Sequence, residues 1–313
     1  MILREQIASK IYGNSVGNEE IFISDGAKCD LGRLQMLFGG DISIAVQDPA
    51  YPVYIEGSQM QGVKEIVFMT CCSENHFFPH LTTLPRTDLI YFCSPNNPTG
   101  AVATRDQLKA LVQKARSNRS IIIFDSAYAH YIQEPDLPKS IYEIEGAKEV
   151  AIEINSFSKI AGFTGVRLGW TVIPKELKYD DGSSVKTDWN RLTSTIFNGA
   201  SNIAQAGGYA VLDREGWKEV AKLTKFYLEN AFILKKALEG LGYMVFGGIN
   251  APYLWVHFAG QNSWAVFQKF LNEYHLVTTP GLGFGPAGEE YLRFSAFGSR
   301  ENILKAAARL KKI

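Results

Sequence analysis

Asn97, Asp125, Tyr128, Ser156, Ser158, Lys159 and Arg167 follow closely on three apolar runs. Asn97 lies in Asn96-Asn97-Pro98-Thr99-Gly100, shortly after Leu89–Cys93. Asp125 ends Ile121–Phe124, and Tyr128 comes three residues later. Ser156, Ser158 and Lys159 follow Val150–Ile154, and Arg167 lies eight residues beyond Lys159. A carboxylate, an amide, a phenol, two hydroxyls, an amine and a guanidinium would converge if these runs are neighbouring strands. A small cofactor with a ring nitrogen, a phenolic oxygen, an aldehyde and a phosphate would use every one of them.

The runs are strand-sized and alternate with helical patterns. Ile42–Val46 ends at Asp48-Pro49, Ile66–Met69 follows, and Leu89–Cys93 ends in a dense turn signal. Thr104-Arg105-Asp106-Gln107 reads as a capping box. Leu108, Leu111, Val112 and Ala115 then recur at helical spacing, which gives one buried face. Strands alternating with helices predict an α/β fold, a mostly parallel central sheet flanked by helices on both faces. Such sheets place their sites beyond the carboxyl ends of the strands. The last third reads differently. Trp217–Leu241 is one long helical pattern, Tyr253–Phe258 and Tyr291–Ser295 are strands, and Trp264–Tyr274 is a helix. Ile303, Ala306, Ala307, Leu310 and Ile313 give a final amphipathic helix. The expected division is a large domain over 1–205 and a smaller C-terminal α+β domain over 206–313, with a bend at Gly207-Gly208. The opening stretch MILREQIASKIYG reads as a helix with Ile2, Leu3, Ile7 and Ile11 on one side.

SPNNPTG, DSAY and SFSK followed after seven residues by Arg167 resemble, in type and order, the landmarks of the fold-type-I pyridoxal-phosphate aminotransferases. The longer strings FISDGAKCDLGRLQ, QDPAYPVY, GFTGVRLGW, FNGASNIAQAGG and NAPYLWVHF are similar to the branch of that family that acts on LL-diaminopimelate. The resemblance covers essentially the whole chain. It implies a fold-type-I transferase with pyridoxal 5'-phosphate as cofactor and amino-acid and 2-oxo-acid substrates. It also implies a homodimer with shared active sites. The implied reaction is reversible amino transfer between LL-2,6-diaminoheptanedioate and 2-oxoglutarate, giving tetrahydrodipicolinate and glutamate, in lysine biosynthesis. Two alternatives stay open: another activity of the class, such as aspartate transamination, and a truncated, non-catalytic remnant.

The resemblance assigns roles residue by residue. Lys159 is the catalytic amine that bonds the cofactor aldehyde and moves protons at the substrate α-carbon. Asp125 pairs with the protonated ring nitrogen. Asn97 and Tyr128 bond the phenolic oxygen, and Tyr51 stacks on the ring. Ala27 and Lys28, at a helix start after Gly26, offer backbone N–H groups to the phosphate. Ser156, Ser158 and Arg167 complete that cup. Arg293, in YLRFSAFG, takes the substrate α-carboxylate. Lys28, Tyr51 and Asn97 also face substrate, and Asn198 reaches cofactor and substrate in the partner's site. Plainer readings exist beside these: Asp25 as a helix cap, Asn97 as a turn residue, and Tyr51 and Tyr128 as core aromatics.

The whole-chain numbers exclude other classes. Lys+Arg and Asp+Glu both total 32 of 313 residues, so no electrostatic footprint for nucleic acid or an anionic membrane is expected. Hydrophobic residues at 46% and charged residues at 20% exclude a disordered chain or a coiled coil. No run approaches the roughly 18 apolar residues of a membrane span. Cys29, Cys71, Cys72 and Cys93 form no C-x-x-C pair, so a disulfide framework is not expected and a reducing compartment is. The five histidines lack metal-ligand spacing, and no metal is expected. The resemblance implies a bacterial cytoplasm, or the plastid stroma of a plant or alga with the transit peptide missing. It further implies roughly eighty residues ahead of the first helix, carrying an arm, part of the small domain and some substrate contacts.

Overall fold

The computed structural model describes residues 2–311. In chain order the elements are α1 (Ile2–Lys10), β1 (Ile21–Ser24), α2 (Ala27–Phe38), β2 (Ser43–Asp48), α3 (Val53–Met60), β3 (Glu65–Thr70), β4 (Leu89–Cys93), α4 (Arg105–Asn118), β5 (Ile121–Asp125), β6 (Ala151–Ser156) and α5 (Phe157–Ile160). There follow β7 (Gly169–Val172), α6 (Val185–Ile196), α7 (Asn202–Val211), α8 (Arg214–Glu239), β8 (Met244–Gly247), β9 (Tyr253–His257), α9 (Ser263–Tyr274), β10 (Thr279–Pro280), β11 (Tyr291–Ser295) and α10 (Arg300–Leu310).

β1 to β7 form one sheet in the order β1-β7-β6-β5-β4-β2-β3. The five strands β2 to β6 are parallel, and β7 runs antiparallel to both β6 and β1. β4 and β6 are buried along their whole length, as near-continuous apolar strands in a sheet covered on both faces must be. Alternate side chains enter two layers. Ile90, Phe92, Ile122 and Phe124 pack with Leu108 and Leu111 of α4. Tyr91, Ile123, Ile152 and Ile154 pack with Leu31 and Leu34 of α2, Tyr54 of α3 and Trp189 of α6. The capping box on α4 closes in both directions: Gln107 N donates to Thr104 Oγ1, and Thr104 N donates to Gln107 Oε1.

β8 to β11 make a second, antiparallel sheet in the order β10-β11-β9-β8. Leu254, Val256, Leu292 and Phe294 pack there against Ala231, Leu234 and Leu238 of α8 and Ile303 and Leu310 of α10. Ile313 lies outside the described residues. Val220, nearer the start of α8, belongs to the large-sheet core, so this helix runs from one core into the other. The residue pair 205/206 falls inside α7. That helix continues through Gly207-Gly208 without the expected bend. Close approach explains the glycine: a Cβ on Gly208 would come within 2.5 Å of Leu168. In α1, Leu3 and Ile7 are buried as expected, but Ile2 is 64% exposed.

Two buried acids fix the strands that carry the site. Glu153, on β6, accepts from Tyr12 Oη at 2.7 Å, Ser140 Oγ at 2.6 Å and Ile141 N at 3.1 Å. Trp170 Nε1 on β7 donates to the same Tyr12 oxygen at 3.0 Å. Burial pushes the Glu153 carboxyl above its ordinary range, an effect that the Tyr12, Ser140 and Ile141 donors offset only in part. Asp30 on α2 accepts from Thr171 Oγ1 on β7 at 2.6 Å and from Arg33 at 2.9 Å, which pins the start of α2 over the sheet. The four cysteines are all free thiols. Among the described residues no helix is long and apolar enough to cross a membrane.

Candidate active site

The carboxyl ends of β4, β5 and β6 open into a cavity of about 600 Å³. Ala27, Lys28, Tyr51, Asn97, Asp125, Tyr128, Ser156, Ser158, Lys159, Arg167 and Arg293 all line it. The parallel register sets Asp125 beside Cys93 on one side and Ile154 on the other, so β4 and β5 end level and β6 runs two residues further, to Ser156.

Asp125 is buried. Its Oδ1 accepts from Ala127 N at 3.0 Å and its Oδ2 from Tyr54 Oη at 2.8 Å. Burial raises its pKa; the two donors and the Lys159 cation oppose that shift. Lys159 follows β6 on the short α5, which Ser156 caps by accepting from Ser158 N at 3.1 Å. Its ammonium lies 5.0 Å from the centre of the Phe297 ring and 5.8 Å from that of Tyr128. Burial and the Arg293 cation both push the Lys159 amine below the ordinary lysine range, with Asp125 acting the other way. A depressed lysine is the state a nucleophilic amine needs, because only its neutral form attacks a carbonyl.

Arg293, on β11, crosses to the large sheet. Its Nη1 donates to Asn97 Oδ1 at 2.7 Å and its Nη2 to Thr279 Oγ1 at 3.3 Å. Its guanidinium lies between Tyr253 and Phe284, 4.5 and 4.8 Å from the ring centres. Its Nε is buried without a partner. A planar cation so held, with a donor to spare, suits a carboxylate. Tyr128 and Tyr253 share a hydrogen bond at 2.8 Å between their hydroxyls.

The opposite end is built for an anion. The first N–H groups of α2 have no carbonyl to bond within the helix and carry the positive end of its dipole. Gly26 caps that end with φ +126, and a Cβ there would come within 2.5 Å of Arg167 Nη2. The bare glycine therefore leaves a cradle for the guanidinium. Arg167 itself has φ +66, and its Nη1 donates to Thr164 O at 2.9 Å. Asp25 makes no cap; its carboxylate pairs with Arg33 at 2.8 Å. Lys28 is exposed at the rim, its ammonium 5.5 Å from the centre of the Tyr51 ring. An amine, a buried acid and an anion cradle thus fit a phosphorylated, aldehyde-bearing pyridine.

Asn198 is the exception. It stands exposed in the loop after α6, outside this cavity of its own chain. The sequence reading also missed Tyr54 and Tyr253, which line the cavity and bond two of the expected residues. Tyr54 lies three residues after Tyr51 in QDPAYPVY, and its N–H donates to Tyr51 O at 3.3 Å in the turn that leads into α3. Tyr253 opens a strand and reads as core.

A family model described as aminotransferase class I and II matches residues 2–310. The LL-diaminopimelate aminotransferase of Protochlamydia amoebophila is 55% identical, over 99% of this chain and 78% of that one. The chloroplastic LL-diaminopimelate aminotransferase of Arabidopsis thaliana is 55% identical, over 99% of this chain and 70% of that one. The solved structure of L,L-diaminopimelate aminotransferase from Chlamydomonas reinhardtii superposes with a TM-score of 0.97 at 58% identity, over 99% of this chain and 79% of that one. With a matching family model over nearly its whole length and a site of the right chemistry, the chain belongs to the class I and II aminotransferases.

Proposed function

We propose that this chain uses pyridoxal 5'-phosphate to move an amino group, reversibly, between LL-2,6-diaminoheptanedioate and 2-oxoglutarate, with tetrahydrodipicolinate and glutamate as products. The observation that carries this reading is the convergence of Lys159, Asp125 and Arg293 on one cavity, in a chain 55% identical to curated enzymes of that name. When bound, the cofactor supplies the carbonyl that accepts the amino group and the electron sink for the substrate α-carbon.

The chain's own residues do the rest. Lys159 would hold the cofactor through its aldehyde, and its amine is placed to take a proton from the substrate α-carbon and give it back. Asp125 holds the proton on the ring nitrogen. Asn97 and Tyr128 bond the phenolic oxygen, and Tyr51 covers the ring face. The N–H groups of Ala27 and Lys28, with Ser156, Ser158 and Arg167, hold the phosphate. Arg293 grips the α-carboxylate, and Lys28, Tyr51 and Asn97 line the substrate side. We also propose a large domain, 1–205, and a small one, 206–313, with Arg293 and Tyr253 in the second. We further propose a two-fold homodimer in which Asn198 enters the partner's site, in keeping with its exposure here. Light scattering on a dilution series, read beside cofactor absorbance, tests that assembly.

The reaction is tested by adding LL-2,6-diaminoheptanedioate and 2-oxoglutarate to the cofactor-loaded protein and following glutamate. Aspartate serves as the competing donor. Glutamate formed from the first donor and not from aspartate is the expected result. Turnover with aspartate alone would replace this reading with the other transamination.

A further inference from the structure

We infer that Tyr54 is a positioning residue for amino transfer, its phenol holding the Asp125 carboxylate charged and aimed at the ring nitrogen. The inference rests on the proposed cofactor. Tyr54 Oη donates to Asp125 Oδ2 at 2.8 Å, while Ala127 N donates to Oδ1 at 3.0 Å. Each carboxylate oxygen has one donor from the chain, which fixes the plane of the group and leaves lone pairs facing the cavity.

The phenol is locked in place. Tyr54 is 1% exposed. Its ring stacks on Tyr91 at 5.3 Å and 17°, and meets Tyr51 edge-on at 5.9 Å. A donor held by packing loses little freedom in making its bond, and this one is aimed at the acid the chemistry needs.

The acid needs the help. Desolvation favours its neutral form. Around Asp125 stand Tyr54 from α3, Cys93 from β4, Tyr128 from the loop after β5, and Lys159 after β6. Cys93 and Tyr128 are buried, and burial pushes both above their ordinary ranges, so neither supplies a charge. Lys159 supplies one only while protonated, and its chemistry requires the neutral amine. The donors that persist through a turnover are the Ala127 N–H and the Tyr54 hydroxyl. Without the hydroxyl the carboxylate becomes the stronger base. The proton it shares with the ring nitrogen then moves toward the acid, and the ring loses pull on the α-carbon.

The test is Tyr54→Phe, loaded with pyridoxal phosphate carrying 15N in its ring. The expected result at pH 7–8 is a ring-nitrogen signal shifted from the protonated position toward that of a neutral pyridine. In the apoprotein, the 13C-labelled Asp125 carboxyl should titrate at higher pH than in the wild type. kcat should fall on the order of 10- to 100-fold with little change in KM. A 15N signal and an Asp125 titration unchanged by Tyr54→Phe would overturn the inference. Should that variant fail to fold, 3-fluorotyrosine at position 54 keeps the ring's shape and strengthens the donor. The Asp125 titration should then move to lower pH, and an unmoved titration would equally overturn the proposal. A wild-type protein that takes up no pyridoxal phosphate would defeat the cofactor reading instead, while the apoprotein titration would still report on Tyr54 and Asp125.

Discussion

Arg293 and Asn97, 196 residues apart in the chain, are joined by a 2.7 Å hydrogen bond from Nη1 to Oδ1. The bond ties β11 of the small sheet to the loop that follows β4 of the large one. It also leaves the remaining guanidinium donors arranged on one edge, with Nη2 reaching Thr279 and Nε buried and unpartnered. Lysine cannot copy that fork. Arg293→Lys is therefore expected to lower kcat/KM roughly 100-fold, about 2.7 kcal/mol of transition-state binding. Steady-state kinetics with the amino donor decide it, and a loss below about threefold would remove Arg293 from the carboxylate role.

Lys159→Arg should abolish transamination and leave the cofactor bound without a covalent link, because a guanidinium stays protonated at any pH a protein tolerates. Borohydride should fix the cofactor to the wild type, whereas in the variant, with no imine to reduce, denaturation should release it. The depressed wild-type amine adds a second outcome. The rate at which apoprotein takes up pyridoxal phosphate should climb with pH below the range of a surface lysine, near 10.4. Arg293→Met removes the neighbouring cation, so it should move that rise to higher pH.

Asp125→Ala should cost much more activity than Asn97→Ala at matched cofactor occupancy. The first deletes a buried carboxylate that faces a cation, a loss of roughly 3–5 kcal/mol. The second deletes one neutral amide, roughly 0.5–1.5 kcal/mol. Equal losses in single-turnover rate would contradict this ordering.

Asp48 gives the stability a pH dependence. It ends β2 and is buried, and both of its oxygens accept from Ala287 N at 3.1 Å. Burial raises its pKa to about 6, while that backbone donor lowers it. Unfolded, an aspartate titrates near 3.9. Below about pH 4 the carboxyl is neutral in both states and its burial carries no charge penalty. Between about 4 and 6 only the unfolded chain ionises, and stability falls as pH rises; above 6 the loss is complete. Asp48→Asn should raise Tm at pH 7–8 and leave it unchanged near pH 4. A Tm difference that is flat across that range would exclude the titration.

Much of the site is legible in the sequence because the sheet is buried on both faces. The parallel strands Leu89–Cys93 and Ile121–Phe124 are apolar throughout, so Asn97 and Asp125 stand out beyond them, while Lys159 follows a β6 that buries Glu153 and Asn155 and is marked by its turn instead. The four-residue strands β1 and β7 are not legible: Ile21–Ser24 and Gly169–Val172 are too short to show a period. Tyr54 and Tyr253 stay hidden for another reason, since a buried tyrosine looks the same in sequence whether its hydroxyl meets a carboxylate, another phenol or nothing. Gly207-Gly208 misleads because glycine serves both backbone freedom and close approach, and here Leu168 makes it the latter.

The distribution of the cavity's walls along the chain also sets an order of manufacture. Lys28, Tyr51, Asn97, Asp125 and Lys159 have all been synthesised about 130 residues before Arg293, an interval of roughly 7–26 s at 5–20 residues per second. The ribosome therefore delivers the lysine, the acid and the anion cradle first, and the arginine that meets Asn97 last. A nascent chain paused in that interval holds one half of the cavity open to solvent, where small phosphorylated aldehydes could reach Lys159 before the second sheet closes over it.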